Sequence, residues 1–205
     1  NVIQQVLGCF SKSRIGAVAI PYADVKKSPQ LNQVAPNAEH VWVTDRFIGT
    51  AHAVRKELFL SMRGYRECYF HQGEERDFCL RLIDGGHFVG IANSDPIHHF
   101  ESPKRDTRRM DLFGRRNDVL YAALNSPGKY LLVDTIGTTV RGLWFGIKVG
   151  RPFRMLHGIA LGYVAAIRFW RYRIPVRGTS RHLFRQLQKH GPLKIEAVTT
   201  VACLK

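Results

Sequence analysis

A chain of 205 residues with 45% hydrophobic and 23% charged side chains has the make-up of an ordinary globular protein, long enough to bury a core, rather than of a disordered or fibrous one. Its charge is not ordinary: 31 basic against 16 acidic side chains leave a net +15. Residues 1–103 carry 11 of each sign, so the whole excess lies in residues 104–205 and points to a polyanionic partner, whether an anionic membrane face, nucleic acid or a phosphorylated substrate.

The chain opens without a signal peptide, on Asn1-Val2-Ile3-Gln4-Gln5, and the missing initiator Met is what a chain beginning inside a longer protein would show. Val2, Ile3, Val6, Leu7 and Phe10 follow a helical stripe. Ile15 to Ile20 reads as a buried strand stopped by Pro21, and the polar and turn-forming residues 22–38 as a loop. Val41-Trp42-Val43 and Phe47 to Ala51 look like strand pieces, followed by a short helix from Arg55 to Met62 closed by Gly64. A helix over Phe78 to Ile83, ended by Asp84-Gly85-Gly86, precedes strands at His87 to Ala92 and Pro96 to Phe100. Strands alternating with helices predict an α/β layer arrangement.

From about Arg105 long helices take over. Met110 to Leu124 is periodic and breaks at Asn125-Ser126-Pro127-Gly128; Tyr130 to Val149 follows, then Gly150-Arg151-Pro152. The next apolar stretch, Met155 to Ile167, has only 13 uncharged residues, whereas a spanning helix needs about 20. With Trp144, Tyr163, Trp170, Tyr172 and flanking arginines it fits either an interfacial amphipathic element or a basic helical pair on the protein's own core. The four cysteines (Cys9, Cys68, Cys79, Cys203) are scattered without C-x-x-C or zinc spacing, as suits a reducing compartment.

The most informative segment is Gly73-Glu74-Glu75-Arg76-Asp77-Phe78. Glu75 lies three, four and seven residues before Phe78, Cys79 and Leu82 and so shares the apolar stripe, while Glu74 lines up with Asp77 and Arg81 on a more polar face. An inward carboxylate at a helix start is a candidate general base, since partial burial raises its proton affinity. The competing reading is that acidic residues simply complement the helix dipole there.

Four segments occur in order: Phe47 to Lys56, Arg63-Gly64-Tyr65-Arg66-Glu67, Gly73 to Phe78, and Ile97-His98-His99-Phe100-Glu101-Ser102-Pro103. Together they resemble the C-terminal half of the catalytic domain of family 2 glycosyltransferases of the GT-A fold, over roughly residues 1–125. The resemblance implies a partial GT-A-like (Rossmann-like) α/β domain at 1–125, on the acceptor side, followed by a basic, mostly helical extension at 126–205. It implies inverting transfer of a sugar from a nucleotide-sugar donor to a carbohydrate or lipid-linked acceptor, in cell-surface polysaccharide or glycolipid synthesis, at the cytoplasmic membrane face. Position by position, it gives Glu75 the role of base with Glu74 beside it. It assigns Gly49, Thr50, Arg55, Gly73, Asp77 and Arg81 to substrate binding, with an ion pair between Asp77 and Arg81, and His99 to the metal. Taken as residues, Gly49-Thr50 also fits a strand constriction and Arg55 an exposed charge at a helix start.

The family's divalent cation, Mg²⁺ or Mn²⁺, is held mainly by an Asp-x-Asp motif, and none occurs in this chain. The chain therefore reads as a fragment, inactive alone. Two other classes remain: a basic nucleic-acid-binding module, which the long apolar helices and lack of a recognisable module disfavour, and a non-catalytic peripheral membrane scaffold.

Overall fold

A computed structural model describes residues 1–26, 28–100 and 106–203; the Glu101-Ser102-Pro103 step of the resemblance lies outside them. In chain order the elements are α1 (Val2–Cys9), β1 (Ile15–Ala19), β2 (Tyr22–Asp24), β3 (Ser28–Asn32), β4 (Trp42–Thr44), β5 (His52–Val54), α2 (Lys56–Ser61), α3 (Glu74–Asp84), β6 (Phe88–Ile91), β7 (Ile97–His99), α4 (Thr107–Asn125), α5 (Leu131–Lys148), α6 (Pro152–Arg168), α7 (Gly178–His190), β8 (Leu193–Lys194) and α8 (Ile195–Cys203). The protein is mixed α/β with two mixed sheets, and divides into two compact units.

The first unit comprises Asn1–Gly64, Phe78–Pro103 and Gly178–Lys205. Its main sheet has the order β5-β1-β6-β4-β8, with β1 parallel to β6 and the other pairings antiparallel. Every residue of β1 is buried, in keeping with its unbroken apolar run. Gly16 is closely packed there: a Cβ would come within 2.9 Å of the Leu58 and Leu82 methyls, where α2 and α3 close over the strand. Phe47, Phe78, Leu82 and Phe88 fill the core beside it.

Two stretches differ from their expected form. Residues 22–38 contain β2 and β3, which with β7 form a second sheet of order β3-β2-β7. Strands this short leave no apolar alternation to read. Phe47 to Ala51 is a turn, not a strand: the Ala51 N–H donates to the Ile48 carbonyl and the pairing strand starts at His52. Gln33, itself left-handed at φ 56, accepts from the Ile48 N–H and donates to the Ile20 and Ala51 carbonyls, holding that turn.

Residues 193–194 form β8, which pairs with β4 through Val43↔Leu193 and Trp42↔Lys194, so the tail builds into the main sheet.

The second unit comprises Tyr65–Asp77 and Lys104–Arg177. Helix α6 packs on α4 through glycines: a Cβ on Gly158 would lie 2.6 Å from the Leu112 carbonyl oxygen, and one on Gly162 2.7 Å from the Val119 Cβ. Gly142 and Gly146 do the same on α5, against Ile159 and Met155 of α6. Gly150 (φ 69) ends α5, and Pro152 occupies the first turn of α6. Among the described residues no helix is long and apolar enough to cross a membrane.

Candidate functional site

The Glu74–Glu75 pair opens α3 behind a left-handed turn, Gln72 (φ 67) and Gly73 (φ 96). Gly73 supplies the helix's first carbonyl, bonded by the Asp77 N–H, and its φ is one that other L-residues rarely adopt. Asn117 of α4 fixes the turn: its Nδ2 donates to the His71 carbonyl at 2.8 Å and the Gln72 carbonyl at 2.6 Å. The two glutamates thus project from a backbone clamped on both sides of the turn.

Both are half-buried. Burial pushes the Glu74 carboxyl above the usual glutamate range, and the Glu75 charge adds to it. These outweigh its own backbone N–H, which acts the other way. Glu74 Oε2 is buried with no hydrogen-bond partner, so the pair holds an unsatisfied acceptor where a proton or a donor group would be stabilised.

One turn further, Asp77 does not lie on a polar face. It is fully buried, and Oδ1 accepts from Arg66 at 2.8 Å, Tyr69 at 3.1 Å and Asn125 at 2.8 Å. Arg66 also donates to Asn125 Oδ1 at 3.0 Å. Breaking a buried, hydrogen-bonded ion pair by removing one partner costs about 3–5 kcal/mol, so Asp77 reads as an anchor of α3 rather than a substrate contact. Arg76 is held too, by Asp118 at 2.8 Å and by the Tyr121 ring 4.0 Å away.

The structure brings Gly73, Glu74, Glu75 and Asp77 together in the second unit. The remaining expected residues belong to the first, where each is engaged locally. Gly49 and Thr50 lie exposed in the Ile48–Ala51 turn, so neither is a strand constriction. Arg55 is half-buried; it donates to the Ile15 carbonyl at 2.8 Å and to the Phe10 carbonyl, stitching α1's end to β1. Arg81 caps α2, donating to the Met62 and Gly64 carbonyls at 2.9 and 2.7 Å. His99 stands opposite Asp24 across β7 and β2, its ring edge-on to Tyr22 at 6.1 Å.

No group of three or more His, Cys, Asp or Glu side chains that could hold a metal occurs among the described residues. His99 with Asp24 offers two donors, fewer than Mg²⁺ or Mn²⁺ takes in a protein-built site, so the residues present do not fit a resident cation by themselves. Four residues that orient the pair, Arg66, Tyr69, Asn117 and Asn125, are not among the site residues expected from the sequence, although Arg116-Asn117-Asp118 reads there as a structural helix element. Arg66 falls within the glycine-aromatic segment and Asn117 follows Arg116, but only the fold links them to residues as many as 59 positions away.

Comparison with protein-family models, with curated proteins and with solved structures finds no match to this chain.

Proposed function

We propose that this chain is the acceptor side of an inverting nucleotide-sugar glycosyltransferase, built on a partial GT-A-like domain. The Glu74–Glu75 pair is the carboxylate centre, with Glu75 as the base. The observation that carries the reading is the clamped left-handed turn, which presents two half-buried carboxylates at a helix start, one of them with raised proton affinity and an unsatisfied oxygen. Helix-dipole complementarity does not call for the buried, unpartnered oxygen of Glu74, whereas a carboxylate pair that receives an acceptor hydroxyl does, with Glu74 as the hydrogen-bond acceptor beside the base Glu75.

In the reaction, the carboxylate accepts the acceptor hydroxyl's proton as that oxygen bonds the anomeric carbon. The bond from that carbon to the nucleotide diphosphate breaks on the opposite face. Glu74 stands beside the base, its buried Oε2 free to accept a hydrogen bond from the incoming sugar. The residues described here do not build a site for a divalent cation, which would supply charge neutralisation of the diphosphate, and none of these roles depends on it. Arg66, Asp77 and Asn125 hold the start of α3 in place. The cytoplasmic face of a membrane is the proposed location.

The test is Glu75→Gln in the enzyme assembled with its nucleotide-binding half. Transfer should fall by about 10²–10⁴-fold with donor binding unchanged. Retained turnover removes Glu75 from the base's role, and loss of turnover in Glu74→Gln alone moves that role to Glu74.

A further inference from the structure

Helices α5 and α6 have inverted polarity. Inward, α6 places the small residues Gly158, Gly162, Ala165 and Ala166 together with Met155 and Ile159; outward it displays Phe153, Leu156, Val164 and Ile167, at 84, 50, 61 and 78% exposure. The buried positions of α5 are Gly142 and Gly146, and its outward stripe is Leu132, Ile136, Val140, Trp144 and Ile147, each at least 58% exposed. A helix facing water puts its large apolar residues inward; small residues inside and large apolar residues outside is the arrangement of helices that face lipid. So large a continuous apolar stripe is not ordinary surface.

The charges around it are equally one-sided. Between Ser126 and Arg177 nine basic side chains stand against one acidic, Asp134, which bonds Ser126. Beside α6 a groove of about 480 Å³ is lined by Phe70, Phe113, Leu161 and Val164, with Arg116 and Arg168 facing into it. Arg116 donates to the Cys68 carbonyl at 2.9 Å and to Asn117 Oδ1, and neither arginine has a carboxylate partner among the described residues. Burial lowers the proton affinity of Arg116, and the Arg168 charge lowers it further. Two cations against one acidic residue, Glu67, leave the groove with an excess positive charge that suits an anion, and Val164 belongs both to that groove and to the outward stripe of α6.

We propose that the α5–α6 face beds into one leaflet of an anionic phospholipid bilayer, with the phosphate of one lipid seated between Arg116 and Arg168 and its chain running along Leu161 and Val164. Neither helix is long and apolar enough to span, so the pair lies in the interfacial layer, with Trp144 and Trp170 at headgroup level. The lipid site stands apart from the sugar-transfer reading, because binding can be read with no sugar donor present.

The experiment is co-sedimentation of the 205-residue chain with vesicles of phosphatidylcholine, alone or mixed with phosphatidylglycerol, at fixed salt. The chain should bind the mixed vesicles and bind phosphatidylcholine far more weakly. The double variant V164D/I167D, at exposed positions, should lose binding by at least ten-fold with an unchanged circular dichroism spectrum. Arg168→Gln should weaken binding about five-fold, and Glu67→Gln, at the groove's one acidic residue, should strengthen it. Inorganic phosphate, matched in ionic strength by chloride, should leave binding unchanged. Vesicle binding indifferent to V164D/I167D or to Arg168→Gln overturns the proposal. So does displacement by inorganic phosphate, which makes the groove a free-anion site. A dimer abolished by V164D/I167D without vesicle binding makes the occupant a second copy, and salt-sensitive DNA retention without vesicle binding makes it nucleic acid; each is also a refutation.

Discussion

Glu74 and Asp77 sit three residues apart on α3 and meet burial in opposite ways. Asp77 is enclosed with an arginine, a phenol and an amide that all donate to one oxygen, so its charge is compensated. Glu74 is enclosed without such partners, and folding raises its proton affinity. The consequence for stability has a definite sign. A carboxyl with a raised folded-state pKa supports the fold fully below its unfolded value, and that support is lost as pH rises through the folded value. Glu74→Gln, which stays neutral, should therefore raise the melting temperature at neutral pH, and the gain should vanish below about pH 4, where glutamate is protonated in both states. Thermal unfolding of both proteins across that range is the measurement. A gain independent of pH would trace to something other than ionisation, and a loss at neutral pH would mean that the helix dipole outweighs desolvation at this position.

At the scale of elements, the glycines of α6 set how closely α4 is approached. Replacing glycine by alanine inside a helix ordinarily stabilises by about 0.5–1 kcal/mol. Gly8 in α1, where a Cβ meets nothing within 4 Å, should follow that rule. Gly158 should break it, because its Cβ would press on the Leu112 carbonyl and on the Arg115 Cβ, 2.9 Å away, and overpacking costs about 1–3 kcal/mol. Urea unfolding should thus give opposite signs for Gly8→Ala and Gly158→Ala; a gain at both would show that α4 and α6 separate freely. These helices were legible because their period runs over many turns, and β1 because its apolar run is unbroken. β2, β3 and β8 were not, since strands of two to five residues with mixed polarity carry no period, and β8 is defined by pairing with residues some 150 positions earlier. The candidate site divides in the same way. Gly73-Glu74-Glu75 declares itself through a local order of residue types. Its supports, Asn117 and the Arg66–Asp77–Asn125 cluster, depend on long-range contacts that no local window contains, and Asp77 was misplaced because periodicity sorts faces by polarity and a compensated buried charge defies that sorting.

For the molecule as a whole, net charge and its placement set a background against which each local contact acts. With 31 basic and 16 acidic side chains the folded protein repels itself, most of all in residues 104–205, where the excess lies. The ion pairs best placed to offset this are sheltered: Arg66–Asp77 is buried, and Arg151–Asp111 and Arg76–Asp118 are partly so. Sheltered attraction is screened far less than exposed repulsion. Added chloride should then act mainly on the repulsion. Raising it from about 0.01 to 0.15 M shortens the screening length from about 30 to 8 Å, enough to silence repulsion between distant surface arginines while leaving contacts near 3 Å intact. The melting temperature should rise over that interval and then level off. The same argument separates two roles for the basic excess. If it is idle surface charge, salt relief is its only consequence. If it serves an anionic partner, that partner should deliver the same stabilisation at low salt, as binding to the folded state shifts the unfolding equilibrium. A melting temperature that falls with chloride would place the balance in exposed ion pairs instead, and would remove self-repulsion as the cost that a polyanionic surface relieves.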